Sequence, residues 1–233
     1  MANVTAEELT KFNKLAQEWW DPAGPMKPLH QLNPLRLQFI TQHSPLLNKK
    51  VLDVGCGAGI LSESMAQAGA KVTGLDAAAD VLATARAHQE QQKLTNPVNY
   101  FLGTLEEFAA QQSALFDVIT CMELLEHVPN PAQLIQNCVQ LLKPEGFIFF
   151  STINRNLKSF LFAIIGAEYV TRMLPIGTHH YAQFIRPSEL NQWAEKSGLQ
   201  LISLTGMNYQ LLKDQFVLTE NVAVNYLVCY RKK

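Results

Sequence analysis

The chain has 233 residues, of which 48% are apolar and 17% charged, so a single packed domain is expected and a disordered chain is excluded. Lysine and arginine number 19 against 20 aspartates and glutamates, a formal net charge of −1; binding along a nucleic-acid backbone would call for a basic surplus that is missing. The four cysteines are scattered with no C-x-x-C pair, which argues against a zinc knuckle or disulfide framework and fits a reducing, cytoplasmic setting.

The first elements are helical. Residues 5–20 carry apolar side chains at Leu9, Phe12, Leu15, Ala16 and Trp19, the spacing of an amphipathic helix ending near Asp21-Pro22. The opening residues, Met1 to Thr10, are polar and acidic, unlike a secretory signal. After a proline-rich loop, a second helix is expected to begin near Pro34, since proline suits a first helical turn. Strand and helix then alternate. Strands are predicted at 51–54, 71–75, 98–102, 116–121 and 147–153, and helices at 59–68, 77–92, 105–110 and 131–142, with a turn at Lys143-Pro144-Glu145-Gly146. Such alternation predicts an α/β, doubly wound, Rossmann-like parallel sheet. Residues 154–186 interrupt the pattern with an apolar insert. A helix at 187–197 and strands at 199–205 and 221–230 close the chain as an antiparallel edge pair. One domain results: an N-terminal helical cap (1–46), a cofactor-binding core (47–153), the insert (154–186) and a closing segment (187–233). No apolar run reaches the roughly 20 residues of a spanning helix, so a soluble protein is expected, at most peripheral on the inner face of a membrane.

Within the core, Val51-Leu52-Asp53-Val54-Gly55-Cys56-Gly57-Ala58-Gly59 reads as strand, tight turn and helix start. Glycines belong where backbone must come against a ligand, and the helix start offers free N–H groups to an anion. Dinucleotide sites usually read G-x-G-x-x-G, but here Gly59 follows Gly57 by two positions. Asp53 adds a carboxylate that would repel a pyrophosphate and tolerate a cation. Both features favour S-adenosylmethionine, with its sulfonium, ammonium and single carboxylate. The next strand ends at Asp76, 21 residues after Gly55, close to the roughly 20 expected of an acid that binds ribose hydroxyls.

A second cluster follows the strand ending at Cys121. Glu123, Glu126 and His127 would share one face if a helical turn starts there, at i, i+3 and i+4. Oxygen and nitrogen donors without thiolate suit Mg²⁺ or a similar divalent cation. The alternative is a helix start favouring two acids, with a histidine at the pocket edge. The spacing leaves both open.

Several strings narrow the reading: Lys27-Pro28-Leu29-His30, Asn33-Pro34-Leu35-Arg36, Cys121 to Pro129, Ser151-Thr152-Ile153-Asn154-Arg155-Asn156 and Gly166-Ala167-Glu168-Tyr169. With the glycine loop, they make the chain resemble class I S-adenosylmethionine-dependent methyltransferases. Within that class it resembles the ubiquinone-biosynthesis O-methyltransferases, which methylate polyprenyl catechols and quinols. The resemblance extends from Trp19-Trp20-Asp21 to Val222-Ala223-Val224-Asn225-Tyr226. It implies that Arg36 reaches the methionyl carboxylate, that Gly55, Gly57 and Met122 lie against the cofactor, and that Asp76 takes the ribose. It also implies a divalent-ion site at Glu123, Glu126 and His127. His127 is the expected general base. One departure from many class members is Thr104 after Gly103, where an acid often faces adenine; backbone or hydroxyl would serve here.

The insert, apolar from Leu157 to Ala167 and again at Tyr169, Met173, Leu174 and Ile176, is expected either to cap the pocket or to lie on a membrane surface through residues 157–176. Other quinone-biosynthesis proteins are conceivable partners. Three competing readings remain at this point: a nucleotide-dependent oxidoreductase, a phenolic methyltransferase of another pathway, and an assembly protein that binds the cofactor without turnover.

Overall fold

The structure is a computed structural model; it describes residues 3–110, 115–156, 159 and 181–233. Helix α1 (Ala6–Lys14) opens the chain, followed by a 3₁₀ turn at Ala16–Glu18 and helix α2 (Lys27–His43). The core comprises β1 (Lys50–Val54), α3 (Ile60–Gln67), β2 (Lys71–Asp76), α4 (Ala79–Gln92), β3 (Asn99–Leu102), α5 (Leu105–Ala109) and β4 (Phe116–Met122). A 3₁₀ turn at Leu125–His127, α6 (Pro131–Leu141) and β5 (Leu142–Ile153) complete it. After the insert come α7 (Pro187–Lys196), β6 (Leu199–Gln210), β7 (Gln215–Thr219) and β8 (Asn225–Lys232). The predicted insert lies outside the described residues at 157, 158 and 160–180.

The strands form one eight-stranded sheet in the order β3-β2-β1-β4-β5-β8-β6-β7. From β3 to β5 every pairing is parallel, whereas β8 runs antiparallel to both β5 and β6. Central strands have both faces covered and so read as continuous apolar runs, as in Val51-Leu52 and Val118-Ile119, all fully buried. Alternate residues feed opposite layers. Phe149 packs with Phe39 and Met65 beneath α2 and α3, while Ile148 and Phe150 pack with Leu134, Ile135 and Leu190 beneath α6 and α7.

The chain departs from the sequence expectations in four places. Helix α1 ends at Lys14 rather than near residue 20; the 3₁₀ turn after it aims the two tryptophans separately, Trp19 over Gly57 and the Trp20 indole N–H at Ala58 O (3.0 Å). Helix α2 begins at Lys27 and carries Pro34 inside it. Pro28 already serves the first turn, and buried Leu32, Arg36, Phe39 and Ile40 form a stripe that continues across the missing N–H of Pro34. The turn at 143–146 lies inside β5, as a register shift against β4 with Glu145 left-handed. The closing edge has three antiparallel strands rather than two, because the turn after Gln210 folds the short β7 back onto β6.

The order reverses between β2 and β4 on either side of β1, which opens a crevice at the carboxyl ends of β1 and β4.

Candidate active site

A cavity of about 1090 Å³ occupies that crevice. Its floor is the glycine turn after β1. Gly55, Gly57 and Gly59 have φ of +70°, +56° and +89°, a left-handed backbone that residues with a Cβ adopt at a cost. Close packing adds to the demand: a Cβ on Gly57 would lie 2.6 Å from the Trp19 ring, and one on Gly59 2.0 Å from the Tyr100 hydroxyl. Gly59 therefore serves packing against β3, whereas Gly55 and Gly57 line the cavity. The N–H groups of Gly55 and Cys56 donate to Leu75 O, tying the turn to β2 (2.8 and 3.1 Å).

Asp76, at the end of β2, also lines the cavity. Its carboxylate accepts from Gly57 N–H and Ala78 N–H, both at 2.8 Å. Burial raises its pKa against the pull of these backbone donors. Asp53 plays a different part from the open counter-charge expected of it. It is buried at 3% exposure and accepts from the Ser62 hydroxyl (2.6 Å) and the Thr120 hydroxyl (2.7 Å). Burial pushes its pKa up to about 6 despite those donors and the nearby Arg36. Thr104 caps α5 by accepting from Glu107 N–H, so its hydroxyl oxygen is already engaged by backbone.

Arg36 projects from α2 into the same cavity and is 5% exposed. Its Nη2 lies 3.2 Å from Glu123 Oε1, yet neither Nε nor Nη2 finds an aligned hydrogen-bond acceptor. A guanidinium removed from water with N–H groups unsatisfied is unfavourable unless a ligand supplies the acceptors. A carboxylate is the planar group that matches such a fork.

At the end of β4, Met122 is 9% exposed and lines the cavity. Glu123 follows with φ +51°, so the chain is not helical there and the anticipated common face does not form. Glu123 is held by the Ser151 hydroxyl (2.6 Å) and the Asn225 amide (3.3 Å). Glu126 is buried, with Oε2 accepting from the Thr152 hydroxyl (2.8 Å) and Oε1 without a partner. Burial, then the neighbouring Glu123, push its pKa up to about 7. His127 turns toward α1, its Nδ1 2.9 Å from Glu8 Oε2 and its ring edge-on to Phe12. Among the described residues no three histidine, cysteine, aspartate or glutamate side chains converge as a metal-binding group. The expected set at Glu123, Glu126 and His127 is thus not gathered in this geometry, because each is turned to a different partner. All three nevertheless line the cavity.

The cavity also takes Glu8 and Phe12 from α1, Trp19, and Met207 and Phe216 from the far edge of the sheet. The amphipathic pattern of α1 predicts a packing face but not where it packs, and the strand pattern at the sheet's far edge predicts β6 but neither β7 nor that Met207 and Phe216 reach the cavity.

A dinucleotide-binding sheet continues in parallel beyond its fifth strand. Here an antiparallel strand stands between β5 and β6, and the glycine turn with its acid faces the reversal point. This is the arrangement of a class I S-adenosylmethionine-dependent methyltransferase. Comparison with known proteins gives the same class and narrows it. A family described as "Methyltransferase domain" matches residues 27–204. Similar folds include the magnesium protoporphyrin IX methyltransferase of Synechocystis PCC 6803 with bound S-adenosylhomocysteine (20% identity, TM-score 0.70, covering 96% of this chain and 95% of that one). Another is a SAM-dependent methyltransferase from Thermotoga maritima (15% identity, TM-score 0.68, covering 95% and 98%). Far higher identity is found to the ubiquinone biosynthesis O-methyltransferase of Coxiella burnetii strain RSA 493, 55% over 228 residues, covering 98% of this chain and 96% of that one. The protein of the same description from Azoarcus sp. strain BH72 is 51% identical over 230 residues, covering 99% and 98%. The chain belongs to the ubiquinone biosynthesis O-methyltransferase family. The oxidoreductase reading is set aside by this membership and by the antiparallel strand.

Proposed function

We propose that the chain transfers the methyl group of S-adenosylmethionine to a hydroxyl of a polyprenylated catechol or quinol, of the 2-polyprenyl-6-hydroxyphenol and 3-demethylubiquinol type, in ubiquinone biosynthesis. The observation that carries this reading is the chain's membership of the ubiquinone biosynthesis O-methyltransferase family; the donor site is supported by the buried guanidinium of Arg36, whose Nε and Nη2 lack aligned acceptors, in the same cavity as Asp76 and His127. In this reading Arg36 would take the methionyl carboxylate and Asp76 the ribose hydroxyls, Gly55, Gly57 and Met122 would border the donor, and the donor would supply the methyl group in the cavity that His127 also lines. A phenol ionises only near pH 10, so the nucleophile is scarce at neutral pH. His127, held by Glu8 through Nδ1, accepts the phenolic proton as the oxygen attacks. In-line displacement then needs mainly alignment of oxygen, methyl and sulfur. A divalent ion bound by both catechol oxygens would favour the phenolate; the donors expected for it, Glu123, Glu126 and His127, are engaged by Ser151, Thr152 and Glu8 in this structure.

The substrate's tail belongs in lipid, and we extend the proposal to a peripheral protein that meets the inner face of a membrane through residues 157–176. Among the described residues no helix is long and apolar enough to cross a membrane. Flotation with liposomes tests this extension; equal flotation of the wild type and of Phe160→Ser/Ile164→Ser would remove it.

Transfer of labelled methyl to a short-tailed catechol tests the reaction itself, with and without a chelator. The wild type is expected to turn over. His127→Asn is expected to lose roughly 10²–10⁴-fold in kcat with donor affinity unchanged. A wild type that binds the donor but never transfers would leave the assembly-protein alternative standing.

A further inference from the structure

The cavity extends well beyond the donor's immediate surroundings, to the N-terminal half of α2 on one side and the β6–β7 hairpin on the other. Met26, Leu29 and Leu32 line the first wall and Met207, Leu211 and Phe216 the second. None of the six presents a charge or hydroxyl, and of the polar residues beside them on β6 that also line the cavity, Asn208 and Tyr209, the latter turns its hydroxyl to Asp214, so this limb is mainly apolar. Across the hairpin Tyr209 pairs with Phe216, their rings 5.1 Å apart. Polar contacts between the two walls gather at the rim. Asp214, left-handed at φ +47°, accepts from Lys27 Nζ (2.7 Å) and the Tyr209 hydroxyl (2.6 Å), and its backbone carbonyl accepts from the Gln31 amide (2.7 Å). Beside this clasp Leu211 lines the cavity while remaining 73% exposed, and Leu212 next to it is fully exposed. A mainly apolar lining that belongs to the same cavity as His127 and includes an exposed leucine suits a long, thin, apolar substituent with one end held and the other outside.

We infer that this limb is the path of the substrate's polyprenyl tail, and that the β6–β7 hairpin is the wall that selects for it. The inference rests on the reaction proposed above and adds a specificity-determining element separate from the insert. Lys27 and Gln31 of α2 hold the hairpin through Asp214, which Tyr209 braces from within the hairpin.

The test compares kcat/KM of the full chain for a tail-less catechol and for the same catechol bearing three isoprene units. In Leu211→Ser and Phe216→Ser the ratio of long-tailed to tail-less kcat/KM is expected to fall on the order of 10-fold, the usual cost of lost apolar complementarity in a binding pocket. Taking the ratio within each variant removes any general loss of folded enzyme. Leu212→Ser, one residue further and turned to solvent, is expected to leave the ratio within about twofold of the wild type. An unchanged ratio in both pocket variants overturns the inference. So does an equal fall in Leu212→Ser, which would make the tip a contact with bulk lipid or detergent rather than a channel wall. If the wild type methylates neither compound, the reaction itself is wrong, an outcome distinct from methylation of both at an unaltered ratio.

Discussion

Replacing Arg36 by methionine removes the guanidinium and keeps a flexible apolar side chain of similar reach. Arg36 has two nitrogens, Nε and Nη2, without aligned acceptors, and each charge-assisted hydrogen bond to a carboxylate is worth roughly 1.5–3 kcal/mol. Two such bonds set a ceiling of about 6 kcal/mol. The ion pair at 3.2 Å to Glu123 already uses part of that capacity in the free protein, so a loss of about 3 kcal/mol is expected, on the order of 100-fold in dissociation constant. Calorimetric titration with S-adenosylhomocysteine measures it. Titration with 5′-methylthioadenosine, which keeps the nucleoside and lacks the amino-acid end, supplies the internal reference and is expected to change less than threefold. Glu123 remains bonded to Ser151 and Asn225 in the variant, so the site is not left with an isolated carboxylate. Equal weakening of both ligands would refute the reasoning, because it would mean that Arg36 supports the fold of the pocket and does not contact the carboxylate.

The complementary change, Asp76→Asn, is expected to weaken S-adenosylhomocysteine and 5′-methylthioadenosine alike, by roughly 10-fold, as read in the same titrations; selective loss of one ligand would place the acid away from the ribose. Gly57→Ala forces a Cβ onto a left-handed residue, at a cost of about 1–2 kcal/mol, and drives it toward the Trp19 ring. A lower melting temperature together with a higher donor dissociation constant is expected, and a variant indistinguishable from the wild type in both would refute the cradle. Glu126 gives a pH signature. Its folded pKa of about 7 stands above the ordinary 4.5, so the stability it contributes is fully present below pH 4.5 and is lost as pH rises toward and through 7. The whole effect amounts to at most about 3 kcal/mol. Urea midpoints of Glu126→Gln are expected to fall less than those of the wild type between pH 6 and pH 8, and parallel curves would contradict it. Donor binding is expected to survive thorough chelation unchanged, since every contact assigned to it comes from side chains and backbone; calorimetry with and without chelator decides.

Much of the frame was legible in the linear order of residues. Apolar strand runs, helix-length segments and glycine turns are local signals, so β1 to β5 and their helices lie close to where the pattern puts them. The glycine turn and Asp76 were equally readable, because both belong to one βαβ unit whose geometry is set by neighbours in the chain. Proline misled at residue 34, where a buried stripe outweighed one missing hydrogen bond, and β7, which lies at the sheet edge with no fully buried residue, is missed by the pattern.

What the tertiary structure alone decided was which distant groups meet. Glu123, Glu126 and His127 sit within five residues, yet they diverge, because the left-handed Glu123 breaks the helical spacing and each side chain finds a partner remote in sequence: Ser151 and Asn225, Thr152, and Glu8. The same holds for Trp19 over Gly57 and for the hairpin that closes the far end of the cavity. Local pattern fixes elements because backbone hydrogen bonding and side-chain periodicity act over a few residues. Partners across the cavity are fixed by sheet order and by which faces must be buried together, and those are properties of the whole packed chain.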